Sequence, residues 1–290
     1  MWTPENRPRY NRDKLRYPSG LTDEEWACIE ASIPPSKHGG RPREINLREV
    51  LNGVMYVLST GTQLSTGTQL STGTQWRYVP KDLPPRSTLH DYFQHWRDDG
   101  TLGRIHHALY MECREQIGRE ASPTARVIDS QCVKSAEKGG RVDPHGYAAG
   151  KKIKGKKRHI LVDTTGLLPH AIVHPGDLQD RDGGILVMSS MFGLFPFLQR
   201  LFADAGYQGP KFATGTAEVW PDLVIAIVQR SDTAKGCKLL PRRWVVERTF
   251  AWLNRCRRLA RDFENRARNA LAFLTLASIR LMLRKLCNTL

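Results

Sequence analysis

The stretch Pro241-Arg-Arg-Trp-Val-Val-Glu247-Arg-Thr-Phe-Ala-Trp-Leu-Asn254-Arg-Cys-Arg-Arg258-Leu-Ala-Arg-Asp-Phe-Glu264 reads as an amphipathic helix. Pro241 suits a first turn, where its missing N–H has no intrahelical partner. At about 100° per residue, Val245, Thr249, Trp252, Cys256 and Leu259 share one face, flanked by Val246 and Leu253. Arg243, Glu247, Asn254, Arg258 and Arg261 share the other. A core-facing back thus carries one carboxylate in a row of guanidinium groups. A salt-bridged acid on a solvated basic face has the same pattern. What decides between the two is whether acids elsewhere converge on Glu247.

Two other acids share one grammar. Val127-Ile128-Asp129 and Leu201-Phe202-Ala203-Asp204 are apolar, strand-like runs that end in an aspartate followed by small or polar residues. In open α/β sheets, ligands collect at the strand ends. Two aspartates on neighbouring strands with Glu247 on a packed helix would supply three hard oxygen ligands, suited to Mg²⁺ rather than zinc. Such a site can hold two ions that stabilise the attacking and leaving oxygens of a phosphoryl transfer. Among the competing acids, Asp163 fits a hairpin turn, and Asp177, Asp180 and Asp182 fit a loop and a helix N-terminus.

The charge balance agrees with a phosphate-bearing partner. Lys+Arg 44 against Asp+Glu 29 leaves +15 on 290 residues, which points to nucleic acid first and an anionic membrane a distant second. The most apolar run, 185–202, is broken by Ser189, Ser190, Gly193, Pro196, Gln199 and Arg200, a poor spanning segment. The N-terminal residues lack the apolar stretch of a signal peptide. Six cysteines are scattered without a C-x-x-C pair, so neither zinc nor a disulfide framework is expected. A soluble, cytoplasmic chain follows.

Before the acids, residues 1–120 read as a small all-α unit. Thr22 with Glu25 forms a capping box, and Asn46 caps a helix carrying Leu47, Val50, Leu51, Val54 and Leu58. Between them lies a basic connector with Arg41 and Arg43, a candidate DNA-contacting arm. Thr88 with Asp91 opens a further helix that Gly100 stops. The hexapeptide Leu-Ser-Thr-Gly-Thr-Gln stands three times unchanged, at 58–63, 64–69 and 70–75. One large apolar residue per hexad cannot build a solenoid face, so an in-frame duplication is expected to give an irregular loop insertion. From 125 the order reads β-β-β-α-β-α-β-α-α, an α/β layer with a mixed sheet. A lysine-rich loop, Lys151, Lys152, Lys154, Lys156, Lys157 and Arg158, is expected to hold phosphates.

Val-Ile-Asp129-Ser-Gln-Cys-Val-Lys, Phe-Ala-Asp204-Ala-Gly-Tyr-Gln-Gly and the Trp244–Glu264 block together resemble the three blocks of DDE insertion-sequence transposases. The nearest branch is insertion-sequence family five, IS4/IS5-like. The resemblance implies a ribonuclease H-like catalytic domain at 125–290 behind a helix-turn-helix-like DNA-binding domain at 1–120. It also implies Asp129, Asp204 and Glu247 as the catalytic, metal-binding triad for two Mg²⁺ ions, with Mn²⁺ as a substitute. Cleavage and strand transfer at terminal inverted repeats, by a homodimer on nucleoid DNA, would follow. Arg243 matches the superfamily's arginine four before the glutamate. Its tyrosine and lysine positions hold Leu240 and Asn254, and Arg258 is the candidate for the missing charge. The alternatives are a nuclease of the same fold that cuts without joining, and a DNA-binding relic silenced by the repeat.

Overall fold

The computed structural model describes residues 7–36, 39, 43–63, 71–73, 75–136, 143–228 and 243–288. Its elements begin with α1 (Asp23–Glu30), α2 (Leu47–Ser59), β1 (Gly61–Gln63), β2 (Ser71–Gly73), α3 (Arg86–Asp98) and α4 (Thr101–Glu115). They continue with β3 (Ala125–Lys134), β4 (Gly146–Ala148), β5 (Ile153–Asp163), β6 (His170–Pro175) and α5 (Asp180–Ser190). Then come β7 (Arg200–Ala203), α6 (Pro210–Ala217), β8 (Val224–Ile227), α7 (Trp244–Leu253) and α8 (Ala267–Cys287). The chain divides into two units: Met1–Gln116 with Arg255–Ala260 and Ala272–Leu290, and Ile117–Asn254 with Arg261–Leu271.

In the first unit the capping box forms as written: Thr22 accepts from the Glu25 N–H, and Glu25 reaches back to the Thr22 N–H. The Glu25 carboxylate is then buried, where Arg12 meets it at 2.6 Å. Asn46 caps α2 by accepting from the Glu49 N–H. By contrast α3 starts earlier than the Thr88 signal, at Arg86 behind Pro85 and without a side-chain cap. Val50, Val54, Leu58, Leu89, Phe93, Ile105 and Tyr110 are all buried. Phe93 stacks on Phe273 at 4.6 Å, and His106 bonds Ser278 at 3.0 Å. The later part of α8, expected within 125–290, therefore belongs to the first unit. Its buried residues, Phe273, Leu274, Leu276, Ala277, Ile279, Met282 and Leu283, lie all round the helix, and a helix apolar on every side must be covered on every side.

The hexapeptide repeat is not an irregular loop in its described part. Leu58 and Ser59 finish α2, and β1 pairs antiparallel with β2 in the register Gly61↔Gly73, Thr62↔Thr72, Gln63↔Ser71. Thr-Gly-Thr reads alike in both directions, so the first copy can pair with the third glycine to glycine. Residues 64–70 and 74 lie outside the described set.

The second unit is built on a six-stranded mixed sheet in the order β4-β5-β3-β7-β8, with β6 also on β5. The β3, β5 and β6 pairings are antiparallel, whereas β3, β7 and β8 run parallel. The strand order expected from the sequence gains one short member, β4, and β5 starts at Ile153 rather than near His159. The lysine-rich segment is thus largely strand: Lys156 and Lys157 pair with Val133 and Cys132. Asp163 closes the β5–β6 turn, accepting from the Thr165 and Leu167 N–H groups. The helix α7 ends at Leu253, and a separate 3-10 turn follows at Arg257–Leu259; the continuous helix to Glu264 does not form. No described helix is long and apolar enough to cross a membrane.

Candidate active site

Val127 and Ile128 are buried in β3, and Leu201, Phe202 and Ala203 in β7. Their parallel register pairs Val127 with Phe202. Two residues further along, Asp129 and Asp204 therefore come level. Asp129 was expected at a strand end, but β3 runs on to Lys134; only Asp204 terminates its strand. Asp204 caps the 3-10 turn Ala205–Tyr207 and accepts from the Gly206 N–H at 2.9 Å. Asp129 accepts from the Ser130 N–H at 2.6 Å. Burial pushes the Asp129 carboxyl up to about 6, with the charge of Asp204 adding to it, while the Ser130 N–H, Arg243 and Lys151 pull the other way.

The third acid is presented by α7, which packs against β3 and β5 through Val245, Val246, Thr249, Phe250 and Leu253. Thr249 Oγ1 donates to the Gly166 carbonyl at 2.8 Å. Arg248 donates to the Thr165 carbonyl at 2.9 Å, its guanidinium between the rings of Trp244 and Trp252. These contacts turn Glu247 outward, 61% exposed. Arg243 spans the gap: its Nη2 lies 3.1 Å from Asp204 Oδ2 and its Nε 4.0 Å from Glu247 Oε1. Asp129 and Asp204 are thus brought together, and Glu247 is linked to Asp204 through a guanidinium. Among the described residues, no three His, Cys, Asp or Glu side chains converge closely enough to hold a metal ion.

The basic candidates divide sharply. Lys151, Lys152 and Lys154 are exposed, and Lys151 Nζ reaches the Ser130 carbonyl at 3.5 Å. Lys156, Lys157 and Arg158 are buried instead. Lys156 Nζ donates to the Glu264 carbonyl at 2.9 Å and lies 3.6 Å from Asp262. Lys157 Nζ donates to the Leu178 carbonyl and to Asp180. Burial lowers Arg158 to about 10, with Asp262 and Glu264 opposing that fall. These three are structural cations, not a phosphate-binding rim, because acids distant in sequence come to meet them. Arg258 is corrected likewise: α7 ends at Leu253, and Arg258, in the 3-10 turn Arg257–Leu259, is buried 5.2 Å from the Phe273 ring. Arg43 is held by the carbonyls of Pro34 and Pro35 and lies over Tyr92. Arg41 lies outside the described residues.

Beside the acids stands a polar network that sequence patterns did not single out. Ser130 Oγ donates to Asp180 Oδ1 at 2.7 Å, and Lys157 Nζ reaches the same oxygen at 2.9 Å. His159 and His174 bond each other at 2.7 Å behind it. Tyr207 is buried edge-on to His159. The only local signal for Asp180 was its place at the start of a helix, which any acid there would share.

A mixed sheet whose parallel strands bring two aspartates level, with a third acid on a helix packed against β3 and β5, fits a ribonuclease H-like domain. Residues 120–282 match the family model described as "Transposase DDE domain". Residues 21–65 and 68–106 match one described as "Putative transposase of IS4/5 family", the gap between the two segments falling inside the second hexapeptide copy. The chain belongs to the DDE transposases of insertion sequences, of the IS4/IS5 type. It is also similar to the "Putative transposase for insertion sequence element IS402" of Burkholderia cepacia, at 33% identity over 129 residues. That alignment takes in 42% of this chain and spans 60% of the relative's length. No solved structure matches.

Proposed function

We propose that this chain cuts DNA at the inverted-repeat ends of an insertion sequence and joins the freed 3′-hydroxyls to target DNA, without a covalent protein intermediate. The observation that carries this reading is the parallel register of β3 and β7, which brings Asp129 and Asp204 level inside the segment matching the DDE domain.

The donors suit Mg²⁺, with Mn²⁺ as a substitute: all are carboxylate oxygens, one is desolvated beside a like charge, and a guanidinium already bridges the other two. Asp129 and Asp204 would hold two such ions, with Glu247 joining once Arg243 releases it. A bound divalent cation there lowers the pKa of water and offsets charge on the phosphate. Lys151, Lys152 and Lys154 stand exposed around the start of β5 and bind the DNA backbone; Lys151 is the one whose charge acts on Asp129. Arg243 is poised to move from the carboxylates to the reacting phosphate. The helical unit, with Arg41 and Arg43, recognises the inverted repeats. Two ends are processed together, so the active form is a homodimer on prokaryotic nucleoid DNA in the cytoplasm.

The test is an end-cutting and strand-transfer assay on DNA carrying the element's inverted repeats. Asp129→Ala is expected to abolish cutting in Mg²⁺ while leaving end binding intact. Persistent cutting by that variant overturns the assignment.

A further inference from the structure

Asp180 looks like an ordinary helix-start acid, but its surroundings give it a second role. Two consecutive glycines let α5 approach the sheet. A Cβ at Gly183 would collide with His159, and one at Gly184 would come within 2.8 Å of the Tyr207 ring. Held that close, the first residue of α5 reaches β3. Asp180 Oδ1 accepts from Ser130 Oγ at 2.7 Å and from the buried Lys157 at 2.9 Å. Lys157 is itself fixed by the Leu178 carbonyl at 2.6 Å.

The other side of Asp180 faces the second catalytic segment. A Cβ on Gly206 would lie 2.9 Å from Asp204 Oδ1 and 3.5 Å from Asp180 Oδ2, so both carboxylates flank the same glycine. One side chain thus touches the residue that donates to Asp129 and borders the turn that carries Asp204. His159 and Tyr207, both buried, close the network from behind. The Lys157 charge offsets that of Asp180, which allows a further acid to stand beside two others.

We propose that Asp180 is a positioning residue: through Ser130 and the Gly206 turn it sets the separation and orientation of the Asp129 and Asp204 carboxylates for a divalent cation. This rests on the reading of Asp129 and Asp204 as the cation-holding pair. Groups that orient metal ligands without touching the metal commonly change its affinity by about 10–100-fold.

The test is calorimetric titration of the full-length protein with Mn²⁺ alone, alongside the end-cutting assay. Ser130→Ala removes only the bridging hydroxyl and leaves the Lys157–Asp180 pair in place; Asp180→Ala removes the whole brace. Each is expected to weaken Mn²⁺ binding by about tenfold. The double variant is expected to lose little more than Asp180→Ala alone, because the Ser130 hydroxyl acts through Asp180. Thermal unfolding of Ser130→Ala within a few degrees of wild type excludes a folding defect. Wild-type Mn²⁺ binding by both single variants, or losses that simply add, overturns the proposal. Asp129→Ala separates the two levels: wild-type Mn²⁺ binding by that variant means the underlying assignment has failed. Lost binding by Asp129→Ala beside unaltered Ser130→Ala and Asp180→Ala means that only the positioning role has failed.

Discussion

Arg243 Nη2 donates to Asp204 Oδ2 at 3.1 Å, so a residue one helical turn before Glu247 occupies the acid it is expected to assist. A cation bound between carboxylates competes with any other cation for the same oxygens. Arg243→Ala is therefore expected to bind Mn²⁺ more tightly while cutting at least about tenfold more slowly, since one charge contact to a phosphate is worth ~1.5–3 kcal/mol. Loss of Mn²⁺ binding in that variant would show that Arg243 instead holds the acids in place.

The two kinds of lysine in one segment separate stability from DNA affinity. Replacing Lys151, Lys152 and Lys154 together by Ala is expected to reduce the slope of log K against log[salt] by roughly 2–3, about 0.9 per lost phosphate contact. Thermal stability should stay unchanged, because these side chains are exposed. Lys156→Ala is the reverse case. It removes one cation beside the buried Asp262, whose carboxylate still accepts from Ser135 Oγ and the Glu264 N–H, so the expected loss is about 1–3 kcal/mol. A chemical-unfolding midpoint unaffected by Lys156→Ala would contradict its burial.

Acid should loosen the second unit before it reaches the usual carboxylate range. Burial lowers the pKa of His159, His170 and His174, that of His170 to about 4. Between that value and the unfolded value near 6.5, the unfolded chain binds more of these protons, so stability falls as pH drops through the window. Asp129, raised to about 6, works in the opposite direction because the folded state keeps its proton. Three groups against one leave a net loss. The thermal midpoint at pH 5 should lie below that at pH 7.5; equal midpoints would remove the buried-histidine account.

Gly183→Ala tests the close approach of α5. The added methyl meets His159 and His174 with no room to spare, and overpacking of this kind costs about 1–3 kcal/mol. Gly193→Ala offers a comparison, since open space surrounds that position although its φ is +79°. Circular dichroism melts should show a larger drop for the first than for the second.

What was legible in the sequence was local or periodic. Thr22 with Glu25, and Asn46 with Glu49, are bonds between residues three apart, so the helix starts they make could be read directly. Asp129 and Asp204 stood out because each ends an apolar run, although Ile160-Leu161-Val162-Asp163 shares that pattern and serves a turn. The burial of Lys156 could not be read, since Asp262 lies more than a hundred residues away. Arg258 misled for a related reason. Helical phase assigns a face only while the helix continues, and α7 ends at Leu253. Asp180 was visible but silent, because its partners Ser130 and Lys157 sit on strands whose pairing no local pattern reveals.

The ladder between the first and third hexapeptide copies also has a genetic side. Pairing Gly61 with Gly73 brings the entry and exit of the repeat side by side. Copies added or lost between those strands keep the reading frame and leave the flanking helix and Trp76 tethered at the same point. Gain or loss of one copy would therefore change the chain by six residues without altering the sequence of anything downstream, Trp76 and the DDE segment included.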